Sequence, residues 1–294
     1  MAFGPWQGIR RELDRWADQG LRARFWLRDD DACEISAQLM RLYALAGRFN
    51  MNVGLAVIPG KIRPDFVHAL ADLKDRFEPM CHGWNHIDYG RPGHSEEFGD
   101  GRPYPVVRFD AEQAYRVFSE CFGGSHVVFV PPFGRITPAL ADDLPGIGFA
   151  ALSVGPDALE RNILRLNAYL PWTPVVTIPT NWPIPRLNVH IDVIEWKRGT
   201  ARDAGAVAAD LVANLRLRRR GFLPSEYPIG LLTHHLVHDE RIWGLCDELL
   251  DVVLDHDSAV ALDAARLLPP VSVDVPGERS VRDIQSLESV SHSD

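Results

Sequence analysis

Short apolar runs alternate with amphipathic stretches along most of the chain. Val53 to Ile58 is a continuous apolar run closed by Pro59-Gly60, which is typical of a strand buried on both faces. Runs of this kind predict strands at 23–28, 53–58, 78–82, 127–130, 147–154, 175–178, 187–194, 229–233 and near Val260. The stretches with helical spacing predict helices at 7–19, 34–48, 64–76, 110–122, 137–144, 201–219, 241–254 and a last one ending at Leu268. The alternation predicts an α/β fold of seven or eight mostly parallel βα units that form a barrel in one domain.

Two segments depart from this alternation. Residues 87–108 are rich in glycine, proline and charge, which predicts a long irregular loop, with Asp110 as the N-cap of the helix after it. After Pro269-Pro270 the chain has few large apolar residues. We therefore expect one folded domain over residues 1–270 and a flexible tail over residues 271–294.

Composition narrows the possible functions. The 294 residues carry a formal charge of −9 and no extended basic stripe, so nucleic acid is not an expected partner. The densest basic run, Arg216 to Arg220, is interpreted as the solvated end of a helix. No apolar stretch approaches the roughly 20 residues of a membrane span, the N-terminus does not resemble a signal peptide, and the four cysteines are scattered. These features predict a cytoplasmic protein with no membrane partner, and they leave the oligomeric state open.

Three groups of polar residues each follow a predicted strand. Asp29, Asp30 and Asp31 follow the first strand, His82 and His86 follow the third, and the pair His234-His235 follows the strand at 229–233. Because the C-terminal ends of parallel strands meet at one edge of a sheet, these side chains are expected to converge. Two histidines and one carboxylate form a good site for a divalent metal with open positions for water and substrate.

The order of these motifs resembles that of the polysaccharide deacetylase family (NodB-homology domain, carbohydrate esterase family 4). The family's Asp-Asp pair is matched to Asp30 and Asp31, because a small residue, Ala32, follows; a shift of one residue would give Asp29 and Asp30 instead. The His-x-x-x-His motif matches His82 and His86. The resemblance extends over residues 24–265.

The remaining three motifs match less closely. The third, Arg-x-Pro-aromatic, corresponds to Val130-Pro131-Pro132-Phe133, which lacks the arginine, and Arg135 in the same loop is a possible substitute. The fourth resembles the segment from Asp192 to Trp196. The fifth, Leu-x-x-His, occurs twice, ending at His234 and at His235.

The resemblance implies a distorted (β/α) barrel of about seven mostly parallel strands and a metal-dependent amide hydrolase that deacetylates an N-acetylated sugar or oligosaccharide. In that case Asp31, His82 and His86 hold a divalent metal, with Zn²⁺ expected first and Fe²⁺, Co²⁺ or Mn²⁺ as alternatives. Asp30 is the base that activates water, and one histidine of the pair His234-His235 is the acid. Strand alternation allows only one of the two to point inward, with His235 preferred over His234, and Asp192 is expected to orient the acid or Arg135.

Several aromatic side chains are candidates for a wall against which a sugar stacks. Trp84 is the first choice because it lies between the two histidines, and Pro132, Phe133 and Trp196 are further substrate-binding candidates. Cys81 is interpreted as a buried thiol rather than a ligand.

Three alternatives remain. The first is a hydrolase of a non-sugar C–N bond. The second, suggested by the absent arginine, is a catalytically silent carbohydrate-binding protein on the same barrel. The third is a non-haem iron oxygenase, which also uses two histidines and a carboxylate but is expected on an antiparallel β scaffold.

Overall fold

The computed structural model describes residues 4–156 and 184–267, together with Arg161 and Leu164 between them. The strand expected at 175–178 and the tail expected at 271–294 lie outside the described residues.

One parallel sheet forms the centre of the described part of the protein. Its strands follow the order β5-β4-β3-β2-β1-β9-β6, and β10 pairs with the start of β1. A separate antiparallel hairpin consists of β7 and β8. The strand bounds are β1 Ala23–Ala32, β2 Val53–Val57, β3 Phe77–His82, β4 Val128–Val130, β5 Ala151–Leu152, β6 Val189–Asp192, β7 Ile194–Glu195, β8 Thr200–Ala201, β9 Ile229–Thr233 and β10 Ala259–Ala261.

The sheet curls until its two ends meet. The backbone N–H of Leu187 donates to the carbonyl of Leu152 over 3.0 Å, and that of Val189 donates to the carbonyl of Val154 over 2.9 Å. The segment that leads into β6 therefore pairs with β5, while β6 itself pairs with β9. The predicted distorted (β/α) barrel of about seven parallel strands is confirmed.

Helices cover the outside of the barrel, as the alternating pattern predicts. Outward-facing side chains such as Phe25 and Leu55 pack in one core with helix residues such as Leu13, Leu42 and Leu249. Inward-facing side chains, among them Trp26, Met80 and Val130, fill the barrel interior. The helix bounds are α1 Gln7–Asp18, α2 Ala37–Arg48, α3 Pro64–Ala71, α4 Tyr104–Phe122, α5 Pro138–Ile147, α6 Ala204–Arg219 and α7 Glu240–Leu254.

Two of the predicted boundaries are wrong in ways that matter. β1 was expected to end at residue 28, but it continues to Ala32 because its backbone still pairs with β2 and β9 at the aspartates. The helix expected from residue 110 begins at Tyr104, with Pro105 in its first turn, where a missing N–H costs nothing. Asp110 is therefore not an N-cap; it lies inside α4 and pairs with Arg102.

The basic run at the end of α6 is also not simply solvated. Arg218 is only 1% exposed, and its guanidinium donates to the carbonyls of Asn214 and Tyr227. Arg219 pairs with the buried Glu12 of α1. These arginines hold α6 against neighbouring segments. Among the described residues, no helix is both long enough and apolar enough to span a membrane.

Candidate metal centre and active-site cavity

The end of β1 breaks the normal alternation of a strand. The pairing of β1 with β2 shifts register between Asp29 and Ala32, and Asp31 adopts a φ of +76°. Such a backbone is uncommon for a residue with a Cβ and is found where surrounding structure enforces it. As a result, the consecutive residues Asp30 and Asp31 both line one cavity, whereas Asp29 faces away from it.

Asp31, His82 and His86 converge on one point. Asp31 Oδ1 lies 3.2 Å from His82 Nε2 and 3.1 Å from His86 Nε2. The three potential ligand atoms lie within 4.8 Å of one another. His82 Nδ1 is 3.0 Å from the carbonyl of Val130, an arrangement in which Nδ1 carries the proton and Nε2 presents its lone pair.

The charges in this cluster are strongly coupled. Burial alone would raise the pKa of Asp31, but hydrogen bonds and attraction from the two histidines lower it far below its usual value. Burial alone would lower the pKa of His82, but the nearby carboxylates of Asp30 and Asp31 raise it. Asp31 is therefore an anion in the neutral pH range, as a metal ligand must be.

A buried carboxylate shapes the loop that carries the two histidines. Glu97 is 1% exposed and accepts hydrogen bonds from the backbone N–H groups of Asn85 over 2.8 Å, Trp84 over 3.3 Å and Ile87 over 3.4 Å. Gly83 has a φ of +56°, and a Cβ there would lie 2.4 Å from Glu97 Oε2. Glu97 thus fixes the turn between the two potential ligands from the far end of the 87–97 loop.

Asp30 is held by an arginine from its own strand. Arg28 Nη2 donates to Asp30 Oδ2 over 2.9 Å, and Arg28 Nε lies 2.8 Å from Asp30 Oδ1. On its other side, Arg28 Nη1 donates to the hydroxyl of Ser153 over 2.7 Å and to the Ser153 carbonyl over 3.1 Å. All three side chains are buried.

The two adjacent histidines have separate surroundings. His234 lines the cavity, and its Nε2 lies 3.8 Å from Asp30 Oδ2. His235 is fully buried, does not line the cavity, and pairs with Asp29. The preference for His235 as the inward-pointing residue is therefore corrected. The physical reason is that alternation continues past the end of β9 with the opposite phase: Leu232 and His234 line the cavity, whereas Thr233 and His235 contact Asp29 on the other face.

The cavity measures about 820 Å³ and has aromatic side chains at its mouth. Phe133, which is 40% exposed, packs its ring against His86 at a centroid distance of 4.7 Å. Trp196, which is 52% exposed, meets His234 edge to face at 4.6 Å and donates from Nε1 to Asp192 Oδ2 over 2.7 Å. Asp192 therefore orients Trp196, rather than Arg135 or the acid directly.

Other candidate residues lie elsewhere. Trp84, expected as the main aromatic wall, packs against a core cluster and is not among the cavity-lining residues. Pro132 is buried and is not among the cavity-lining residues. Arg135 lines the cavity but is exposed and has no contact with Asp30. Cys81 is a buried thiol, as expected, and burial raises its pKa well above the usual value.

Sequence reasoning missed two residues that organise this site. Arg28 interrupts the apolar run of β1, and a charge in a buried strand is a signal of a paired partner. Glu97 lies in the predicted long loop, where it is interpreted as a gate to the site, and no local pattern indicates that its carboxylate anchors the histidine turn.

Comparisons with known proteins give the fold but no close relative. No protein-family model matches the sequence, and no curated protein matches it either. Among solved structures, a protein from Mycobacterium smegmatis that is assigned as a polysaccharide deacetylase matches with a TM-score of 0.54 and 15% identity over 82% of this chain and 81% of its own. A family 4 acetyl xylan esterase from Clostridium thermocellum in complex with a cobalt ion matches with a TM-score of 0.50 and 12% identity over 83% of this chain and 89% of its own.

A mutant of a CE4 family pseudoenzyme also matches, with a TM-score of 0.50 and 12% identity over 84% of this chain and 68% of its own. The chain therefore has the fold of the CE4 polysaccharide deacetylases, and the resemblance expected from the motifs is confirmed at the level of the fold.

Proposed function

We propose that this protein is a metal-dependent amide hydrolase that deacetylates an N-acetylated sugar or oligosaccharide. The observation that carries the proposal is the convergence of Asp31, His82 and His86 in the cavity that also holds Asp30 and His234. These residues supply a metal site, a base and an acid within one concave site, which is what hydrolysis of an amide requires.

The donor set fits a divalent metal. Two imidazole nitrogens and one carboxylate oxygen suit a borderline ion and leave positions open, so Zn²⁺ is the first expectation, with Fe²⁺, Co²⁺ and Mn²⁺ as alternatives. The contact from His82 Nδ1 to the Val130 carbonyl orients that ring as a ligand. When bound, such a metal lowers the pKa of water and polarises a carbonyl oxygen.

Asp30 and His234 divide the proton transfers. Asp30 is buried and accepts a proton from the attacking water through a lone pair that Arg28 does not use, since each carboxylate oxygen has two. His234 lies beside Asp30 in the cavity, with its Nε2 3.8 Å from Asp30 Oδ2, and protonates the departing amine. His235 is assigned no direct role, because it is enclosed with Asp29.

The walls of the cavity suit a sugar. Phe133 and Trp196 expose aromatic faces at its mouth, and apolar ring faces are the surfaces on which sugar rings stack. Arg135, exposed at the same mouth, is positioned to contact substrate rather than the base. The volume of about 820 Å³ lies in the range of small-molecule sites and accommodates one or two sugar units.

The proposal is tested by metal analysis of the purified protein alongside His82→Ala/His86→Ala. The expected result is about one equivalent of metal in the wild type and none in the variant. The matched control is His68→Ala/His256→Ala, which removes two histidines far from the cavity and should keep the metal. No metal in the wild type, even after incubation with Zn²⁺, would overturn the proposal.

Activity is then measured as acetate release from N-acetylated chitooligosaccharides and, as a non-sugar amide, from acetanilide. Release from the sugar that is lost in Asp30→Asn supports the deacetylase, and release from acetanilide alone supports the non-sugar alternative.

One observation favours a second candidate, a silent carbohydrate-binding protein. Both oxygens of Asp30 contact Arg28, so fewer of their lone pairs are free to accept a proton from water. That function predicts metal and oligosaccharide binding without acetate release. The parallel barrel argues against the iron oxygenase alternative, which was expected on an antiparallel scaffold.

A further inference from the structure

The three consecutive aspartates at the end of β1 have three different partners. Asp29 contacts His235 and Thr233, Asp30 contacts Arg28, and Asp31 contacts His82 and His86. The three carboxylates have the same chemistry, but each is held by a different set of side chains.

Asp30 and Asp31 need such a separation because the bulge turns both toward the same cavity. In a regular strand, neighbouring side chains point to opposite faces, and only one would reach a metal held there. Two carboxylates beside a divalent cation compete to coordinate it, because carboxylate oxygens are strong ligands for such ions.

Arg28 is placed to engage Asp30. It approaches both oxygens, at 2.9 Å through Nη2 and at 2.8 Å through Nε. Its far side is fixed to Ser153, whose hydroxyl in turn donates to the carbonyl of Leu187 over 2.5 Å. The guanidinium is 4% exposed and therefore has little freedom to leave Asp30. A planar guanidinium matches a carboxylate in this way, which a lysine does not.

We infer that Arg28 is a positioning residue that holds the Asp30 carboxylate away from the metal ligands, so that Asp31 alone coordinates and Asp30 is left to act on water. This inference rests on the proposed metal-dependent function. It also gives a physical account of the missing arginine in the Val130-Pro131-Pro132-Phe133 segment, because β1 itself supplies a guanidinium for Asp30.

The experiment is a titration of the metal-free protein with Co²⁺, followed by visible absorption, because the d–d bands report the number and kind of ligands. Four proteins are compared: wild type, Arg28→Met, Asp30→Asn and the double variant. The matched control is Arg24→Met, which removes the same charge from the same strand without touching Asp30.

The expected result is a new Co²⁺ spectrum in Arg28→Met alone, as the released Asp30 joins the ligands. Its Kd for Co²⁺ should fall by about tenfold, at the lower end of the changes in metal affinity that partners of ligands produce. Asp30→Asn, the double variant and Arg24→Met should keep the wild-type spectrum.

Two results would overturn the inference while leaving the proposed function in place. One is a wild-type spectrum in Arg28→Met, and the other is an altered spectrum in Asp30→Asn, which would mean that Asp30 already coordinates in the wild type. A wild-type protein that binds no Co²⁺ overturns both.

A folding failure of Arg28→Met is detected by circular dichroism, and Arg28→Lys then takes its place. Lysine keeps the positive charge but cannot donate to both oxygens of Asp30 as the guanidinium does. A spectral change in Arg28→Lys that disappears in Arg28→Lys/Asp30→Asn supports the inference. An unchanged spectrum in Arg28→Lys contradicts it.

Discussion

Asp29 Oδ1 lies 2.5 Å from His235 Nδ1, and both side chains are fully buried. Asp29 Oδ2 also accepts from the His235 backbone N–H over 2.9 Å and from the Thr233 hydroxyl over 2.7 Å. One carboxylate thereby ties the end of β1 to the turn that follows β9. Because this pairing buries His235 on the side away from the cavity, the neighbouring His234 faces the cavity.

Replacing Asp29 is expected to destabilise the whole protein. Burial would raise the pKa of Asp29, but the charge of His235 and the hydrogen bonds from His235 and Thr233 lower it. Burial would lower the pKa of His235, but Asp29 raises it. Asp29→Asn leaves a buried imidazole without its counter-charge, and we expect the free energy of unfolding to fall by about 3–5 kcal/mol in urea denaturation at pH 7.

The pair also sets a pH window. Asp29 contributes to the free energy of unfolding above its unfolded pKa, and this contribution is lost as the pH falls through its lowered folded pKa. His235 contributes below its unfolded pKa, and this contribution is lost as the pH rises through its raised folded pKa. Asp239→Asn, at the exposed cap of α7, is the comparison. An equal loss in the two variants would contradict the assigned role of Asp29.

Glu97→Gln is expected to weaken metal binding. The amide keeps one acceptor oxygen but places an NH₂ group against a backbone N–H of the histidine loop, so His86 loses its fixed position. We expect the Kd for Zn²⁺ to rise by about tenfold, measured by competition with a chromophoric chelator. Glu96→Gln is the control, since Glu96 binds Gly101 instead of the histidine loop, and a comparable loss there would count against this account.

Gly83→Ala is expected to affect both stability and metal binding. The positive φ costs a residue with a Cβ about 1–2 kcal/mol, and the overlap with Glu97 and Pro132 adds about 1–3 kcal/mol. Gly20→Ala has a similar φ of +65° and no atom within 4 Å of the new Cβ, so it isolates the first cost. Thermal unfolding of the two variants separates the cost of the positive φ from the cost of the steric overlap. Equal losses of stability would show that Glu97 and Pro132 move to relieve the overlap.

The buried His238 is expected to make the protein less stable as the pH falls below neutral. Burial lowers its pKa to about 4, and repulsion from His234 and His235 adds to this against the opposing charge of Asp29. The unfolded chain binds a proton near pH 6.5, so neutral His238 stabilises the folded state fully above that pH and progressively less toward pH 4.

Between pH 7 and pH 5, the wild type is expected to lose about 2 kcal/mol more than His238→Gln, which does not titrate. Urea denaturation of both proteins at the two pH values measures this difference, and parallel losses would contradict the prediction.

The strands and the convergence of the motifs followed from apolar patterning, because parallel strands must bury both faces and their ends must meet. The orientation of individual side chains did not follow. The bulge at Asp31 breaks strand alternation. At the end of β9 alternation holds, but the pattern did not indicate which of its two faces lines the cavity. Trp84 illustrates the same limit, since its position between two histidines did not reveal that its ring packs into a core.

The Glu97 anchor has a consequence for how this scaffold can change. The backbone N–H of Tyr89 donates to the carbonyl of Glu96 over 2.8 Å, which closes the loop at its base, while Gly93 and Ser95 between these two positions line the cavity. The segment between Tyr89 and Glu96 can therefore be lengthened, shortened or exchanged while Glu97 continues to hold the turn between His82 and His86. The loop is therefore a suitable site for a library of insertions, which would change which molecules enter the cavity while Asp31, His82 and His86 keep their positions.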